Sequence, residues 1–330
     1  MLVPPAWERV PDLPQNVRDF LAFHAGLTEP WDGPAALVFT DGRLVGATLD
    51  RNGLRPCRYL VTEDGLVAAA SEAGAVPVAP ERITLHGKLG PGQMLSVDTL
   101  TGELMDDAGI KQALAARRPY GTWLRRARTL PRASRALTTA DDGRQTTDDR
   151  RLGQDAPLEA AVAPRTQAKM VVEQSAFGYT NEELVMVLRP MVENSAEAIG
   201  SMGDDTPLAV LSDKPRSLFS YFRQRFAEVT NPPIDPLREE LVMSLRVRLG
   251  ARGNFLSETP AQANLLVLDS PFLTEADLAA LRADPALHSV TLSTLFQAVD
   301  GPGGLAAALA RLQQAAGEAV AAGAEALILS

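Results

Sequence analysis

The stretch from Pro34 to Glu72, "PAALVFTDGRLVGATLDRNGLRPCRYLVTEDGLVAAASE", constrains the possible fold more than any other part of the chain. Its short apolar runs are separated by Asp41-Gly42, Asn52-Gly53 and Asp64-Gly65. Such dipeptides mark tight turns, because the second residue takes a positive φ that glycine adopts without a Cβ clash. Turn signals at this regular spacing predict an antiparallel meander. A further hairpin is predicted in "LGPGQMLSVDTLTGELM", with Thr101-Gly102 at its turn, followed by a helix from Asp106 to about Arg118.

Beyond this β-rich part the composition changes. From Arg126 to Thr166 the chain lacks aromatic residues and any sustained period, which reads as a linker or a disordered insertion. Its arginines suit a solvated basic segment better than a nucleic-acid arm, since no aromatic side chains interleave to stack on bases. Order returns at "FGYTNEELVMVLRPM", where Thr180 and Glu183 have the spacing of a capping box and predict a helix start. A buried strand is predicted in "PLAVLS" and a helix in "SLFSYFRQRFAEV". A second helix is predicted in "LREELVMSLRVRLG", capped by Asp235, with Pro236 in its first turn and Gly250 at its end. A strand in "ANLLVLDSP", a helix from Thr274, a strand in "HSVTLSTLF", an alanine-rich helix and a last strand in "EALILS" give the alternation of an α/β unit with a partly parallel sheet.

Length and charge set outer bounds. The 330 residues are 45% hydrophobic, enough for about two domains on a prior of roughly 150 residues each. A net charge of −9 and a pI near 5.0 disfavour a binder of duplex nucleic acid. No signal peptide follows Met1 and no apolar run is long enough to span a bilayer, so the expected compartment is the cytoplasm.

Candidate chemistry is sparse. The single cysteine, Cys57, falls inside a predicted strand with no histidine near it in sequence, and reads as a buried structural thiol rather than a nucleophile. One cysteine builds neither a disulfide nor a thiolate metal cluster. His24, His86 and His288 lack metal-ligand spacing, so no metal site is expected. "GPGG" at Gly301 is helix-start punctuation, without the lysine and hydroxyl of a phosphate loop. "TNPPIDPLRE", Thr230 to Glu239, stands apart: its prolines stiffen the loop and leave polar groups unpaired within it. Two readings stay open there, a stiff turn before a helix and a loop lining a passage or an interdomain contact. The glycines of "IGSMGDD" permit close backbone approach or simply close packing.

Longer phrases carry a resemblance. "EPWDGPAALVFTDG", "DRNGLRPCRY", "ASEAG" and "LGPGQMLSVD" resemble the closing half of the class II glutamine amidotransferase domain of glutamate synthase large subunits. "FGYTNEELVMVLRPM", "GSMGDDTPLAVLS" and "YFRQRFAEVTNPPIDPLREELVMSLRVRLG" are similar to that family's central domain. The resemblance implies α+β followed by α/β: a partial N-terminal-nucleophile (αββα) amidotransferase domain over 1–125, a linker or insertion over 126–166, and a central domain over 167–330. The Arg126–Thr166 segment matches poorly, and Glu228 stands where the family usually has glutamine.

In this family the first residue of the mature chain is the catalytic cysteine, and ammonia released from glutamine passes through a tunnel to a flavin barrel where 2-oxoglutarate becomes glutamate. Neither that cysteine nor the family's His-Asn-Gly oxyanion segment is present, so the chain is expected to be a catalytically incompetent fragment with no catalytic residue of its own. By resemblance Asp50, Asn52 and Arg55 support the glutamine pocket, with ordinary turn and strand-edge roles as the plainer alternative. Thr230, Asn231 and Asp235 belong by resemblance to an ammonia-tunnel or interdomain loop. The FMN and iron–sulfur cluster of the family are expected to bind outside this chain. The implied partners are the other amidotransferase half, whose absence would expose a sheet edge and an apolar face, the FMN barrel, and a small reductase subunit or ferredoxin. NADPH, NADH and ferredoxin all remain open as reductants. The competing expectation is a stand-alone, non-catalytic subunit that binds an amidotransferase or glutamate synthase. Neither nucleic acid nor a membrane is an expected partner.

Overall fold

The computed structural model describes residues 2–31, 33–130, 167–195, 198, 208–213, 216–222 and 242–330. The chain divides into two units, one comprising Met1–Leu158 with Ile234–Ser330, the other Glu159–Pro233.

In the larger unit the turn dipeptides do what their chemistry dictates at two of three positions. β1 (Ala36–Thr40) and β2 (Leu44–Leu49) pair antiparallel across Asp41-Gly42, where Gly42 has φ +93°. Asp41 Oδ1 accepts from the amides of Arg43 at 2.9 Å and Leu44 at 2.7 Å. β3 (Arg58–Thr62) and β4 (Val67–Ala70) likewise pair across Asp64-Gly65. The middle signal, Asn52-Gly53, does not join neighbouring strands, so the single predicted meander is split. β2 continues instead to β6 (Met94–Asp98), which pairs with β7 (Leu104–Met105), giving the antiparallel order β1-β2-β6-β7. β3 lies between β4 and β5 (Ile83–Lys88) in a second antiparallel sheet. The reason is local: the Asp50 carboxylate takes the amides of Asn52 and Gly53, bending the chain out of the first sheet. Glycine is required at 53, where φ is +63° and a Cβ would lie 2.7 Å from Cα of Pro91.

Three helices back this part. α1 (Gln15–Ala25) starts after Pro14. α2 (Asp107–Ala115) is capped by Asp106, whose side chain accepts from Gly109 N, and it ends three residues before the predicted Arg118. α3 (Tyr120–Leu124) follows. Their apolar faces form one core with Val17, Phe20, Leu21, Phe23, Leu27, Ala115 and Tyr120, and Ala263 from the last third of the chain joins it.

The remainder of the unit has mixed pairing. β8 (Arg128–Thr129) runs parallel to β10 (Leu266–Leu268), and β9 (Val247–Leu249) runs antiparallel on its other side. β8 lies within the stretch read as linker, where Arg128 Nη1 meets Asp284 Oδ2 at 2.6 Å and Leu130 is buried. β9 corrects the predicted helix through Gly250: Leu245, Val247 and Leu249 alternate with Arg246 and Arg248, a period of two that suits a strand. α4 (Glu275–Ala283), capped by Thr274 and Asp277, packs over this sheet through Leu281. β11 (Ser289–Leu292), α5 (Gly301–Ala321) and β12 (Ala326–Leu329) complete a βαβ unit with a parallel strand pair.

In the smaller unit, helix Gln167–Ala176 precedes a helical stretch over 181–194. The capping box of Thr180 and Glu183 forms as predicted. The stretch is π-helical at Leu184–Leu188, just before Pro190, whose missing N–H interrupts the ordinary bonding ladder. "PLAVLS" corrects to a 3-10 turn at Ala209–Leu211, with no partner strand among the described residues.

Candidate functional site

Asp50 follows directly on β2 and is 1% exposed, although it carries a carboxylate. A buried carboxylate persists only where donors satisfy it. Here Oδ2 accepts from Ala35 N at 2.9 Å, and Oδ1 accepts from Asn52 N at 2.7 Å and Gly53 N at 3.3 Å. Its backbone carbonyl accepts from Gly53 and Gly92, and its amide donates to Ala35 O. One residue therefore joins the entry to β1, the 50–53 turn and the loop before β6. Asn52 is buried in that turn, whereas Arg55 is exposed, with no hydrogen bond or ion pair among the described residues. The structure thus brings Asp50 and Asn52 together and leaves Arg55 apart. Thr230, Asn231 and Asp235 lie outside the described residues, as do Glu228 and most of the 126–166 segment.

Cys57 sits one residue before β3 rather than inside it, packed with Ala47, Leu49, Leu89 and Leu95. Burial pushes its thiol above the ordinary value of 9.0, which disfavours the thiolate that a nucleophile needs.

A second polar cluster escapes sequence reasoning. His24, near the end of α1, places Nδ1 2.8 Å from Phe20 O and Nε2 3.1 Å from Glu258 Oε1. Arg118 Nε lies 3.8 Å from the other oxygen of Glu258. Tyr120 is buried against His24, Phe20, Phe23 and Trp123. Its hydroxyl makes no geometrically complete hydrogen bond among the described residues. Burial first, and the nearby Glu258 carboxylate second, push this phenol from 10.0 up to about 12. The loop carrying Glu258 is fixed by the buried Gln262, whose Oε1 accepts from Thr259 N and whose Nε2 donates to the carbonyls of Arg252 and Asn254. His24 and Glu258 are 234 residues apart, so no spacing pattern pairs them.

Among the described residues no group of three or more His, Cys, Asp and Glu side chains could hold a metal ion, and no helix is long and apolar enough to cross a membrane.

Comparison with known proteins supplies what this geometry alone does not. Residues 1–123 match the model of class-II glutamine amidotransferases, and residues 172–330 match that of the glutamate synthase central domain. The ferredoxin-dependent glutamate synthase of Pyropia yezoensis is 40% identical over 332 residues. The ferredoxin-dependent glutamate synthase 2 of Synechocystis sp. is 44% identical over 333 residues, and the NADPH glutamate synthase large chain of Azospirillum brasilense 42% over 330. Each alignment covers 100% of this chain and 20% of the relative, so the chain spans about a fifth of the length of the curated relatives it matches.

Proposed function

The chain belongs to the glutamate synthase family, and on that premise we propose that it supplies the closing part of a glutaminase sheet and an ammonia-relaying central domain to glutamate formation from glutamine, 2-oxoglutarate and a reductant. The observation that carries this reading is alignment over the whole chain, with both family models in order along it.

In this reading the two antiparallel sheets are part of an αββα amidotransferase domain ending near residue 125, and the central domain begins near residue 167. The attacking thiolate belongs to the adjoining amidotransferase half. This chain's contribution is positional. Asp50 holds three backbone segments in register, so that Asn52 and Arg55 present a fixed turn to the glutamine pocket. A preorganised turn costs no rearrangement when the tetrahedral intermediate forms. Thr230, Asn231 and Asp235 line or border the ammonia passage. The proline-stiffened loop resists collapse there.

The names of the relatives include both ferredoxin and NADPH, so either donor class fits the proposal. An iron–sulfur cluster needs a set of cysteine thiolates. The chain's one cysteine is buried beside β3, so this donor set does not fit a cluster.

The test is made in a polypeptide that joins this sequence to a Cys-initiated amidotransferase half. Glutaminase activity is expected to be unchanged by Cys57→Ala, and its loss overturns the assignment of the nucleophile to the adjoining half. With the flavin barrel also present, Thr230→Trp is expected to keep glutamine hydrolysis while glutamate formation falls at least tenfold. Unchanged coupling removes Thr230 from the passage.

A further inference from the structure

Within the larger unit, a cleft of about 330 Å³ opens over α1, with Arg51 of the 50–53 turn at its edge. Its floor includes Leu21, His24 and Ala25. One wall is the segment Pro4–Glu8, the other runs from Val242 to Arg248 and includes Arg252. The walls are held in place. Arg18 donates to the carbonyls of Trp7, Glu8 and Val10, fixing the first wall to α1. Ser244 Oγ donates to Glu8 Oε2 at 2.7 Å, tying the second wall to the first.

The cleft gathers Arg51, Arg246, Arg248 and Arg252 against Glu8 and Glu29. Positive charge is thus in excess here on a chain of net charge −9. Three of the four guanidiniums already have a contact: Arg246 Nε lies 3.5 Å from Asp269 Oδ1, Arg51 Nη2 lies 3.4 Å from Met243 Sδ, and Arg252 bonds a backbone carbonyl. Arg252 Nη2 donates to Arg248 O at 3.3 Å, which places the two residues at the same end of the cleft. Arg248 differs from all three. It rises from β9 into the cleft, and its guanidinium makes no hydrogen bond or ion pair among the described residues. Burial, reinforced by Arg246, pulls its pKa below the ordinary value, with Glu8 opposing. A partly desolvated guanidinium with five donors and no acceptor is a costly arrangement unless a ligand completes it.

We propose that this cleft binds a small dianion, held by Arg248 and Arg252 through paired oxygens of a carboxylate or phosphate group. The planar fork of arginine fits such oxygens in bidentate fashion. The volume lies at the lower end of the range for small-molecule sites, which favours a compact metabolite over a polymer. Glu8 and Glu29 at the margin oppose extended polyanions and set an upper limit on how much negative charge the cleft accepts.

Dicarboxylates and phosphate share this chemistry, and the test separates them. Binding of succinate, inorganic phosphate and acetate to the 330-residue chain is measured by calorimetric titration at low ionic strength. Saturable binding of succinate or phosphate, at least tenfold tighter than acetate, is expected, and whichever dianion binds identifies the source. Arg248→Gln is expected to weaken that binding at least tenfold. Glu8→Gln, which keeps a hydrogen-bonding partner for Ser244 and removes a negative charge, is expected to tighten it about threefold. These opposite signs separate a charge-selective site from a general loss of packing. Should Arg248→Gln fail to fold, as read by circular dichroism, Arg252→Gln on the exposed side of the cleft carries the same expectation. Absence of dianion binding at 10 mM (about a hundredfold above a 0.1 mM site), equal binding of acetate, or indifference to both charge changes overturns the proposal.

Discussion

Residues 36–105 and residues 167–222 are both rich in apolar side chains, yet they end in opposite conditions. In the first region Ala47, Leu49, Cys57, Leu89 and Leu95 close a core between strands whose turns are locked by Asp41, Asp50 and Asp98. In the second, Ala209 is the one buried residue among those described, while Phe177, Val192, Phe219 and Phe222 are largely exposed. Hydrophobicity is therefore not what distinguishes a region that covers itself from one that does not. What the first region shows is carboxylates that fix its turns by accepting from backbone amides, with Asp50 also reaching Ala35 at the entry to β1. The first region still presents an uncovered strand, since β1 is exposed along its length and Val38 is 77% exposed. An open strand edge and an uncovered apolar helix are both surfaces suited to further domains of a longer chain.

The largest effect that tests this contrast comes from deleting aromatic rings. Phe23 is 2% exposed and touches His24, Tyr120 and Trp123. Phe23→Ala is expected to destabilise by about 3–5 kcal/mol through lost burial and the cavity left behind. Phe219, 86% exposed, is expected to give a change within about 0.5 kcal/mol when replaced by alanine. Urea unfolding followed by circular dichroism reads the comparison, since it reports helices of both units, whereas Trp7, Trp31 and Trp123 all lie in the larger one. Equal effects of the two changes would show that the second region has a core of its own.

A smaller effect separates the members of the predicted pocket. Asp50→Ala leaves the amides of Ala35, Asn52 and Gly53 without their acceptor, at an expected cost of about 2–3 kcal/mol. Arg55→Ala, on an exposed side chain, is expected to change stability by less than about 0.5 kcal/mol. In an enzyme carrying the adjoining amidotransferase half, a fall in glutaminase activity from Arg55→Ala without loss of stability marks a pocket residue. A fall in neither leaves Arg55 an ordinary surface arginine.

The legibility of the chain follows the range of the forces involved. Turns set by Asp-Gly pairs, the Thr180 and Thr274 caps and the βαβ alternation near the C-terminus are local, and the sequence carries them directly. α1 is absent from the predicted elements, although Val17, Phe20, Leu21 and His24 repeat at helical spacing, because no capping side chain marks its start after Pro14. The apolar run before "SLRVRL" draws it into a predicted helix, and its strand nature shows only in the alternation of arginines. "PLAVLS" shows the reverse error, an apolar run without a partner strand among the described residues. Asp50 is legible as a turn residue, but its third contact, to Ala35, depends on the pairing of β1 with β2. Glu258 is wholly illegible, because its partners come from α1 and the segment around α3.

The smallest effect is the pH dependence, and it acts in opposite directions in two parts of the larger unit. Arg43 donates to Asp98 Oδ2 through Nε at 2.9 Å and through Nη2, and this contact first, with the amides of Leu100 and Thr101, holds the carboxyl below its ordinary value of 3.8. Asp98 therefore binds its proton less tightly folded than unfolded. Its contribution is complete at neutral pH and is lost as pH falls below 3.8 toward the depressed folded value. Tyr120 has the other sign. Its folded value of about 12 exceeds the ordinary 10.0, so its contribution is present below pH 10.0 and is lost as pH rises through about 12. Unfolding measured across pH is expected to show Asp98→Asn flattening only the acid limb and Tyr120→Phe flattening only the alkaline limb. Because Tyr120 sits in the α1–α3 core and Asp98 at a strand end, separate limbs mean that the two are stabilised by independent electrostatics within one unit. If Tyr120→Phe instead shifts both limbs, the Tyr120 phenol and the Asp98 carboxyl are not independent.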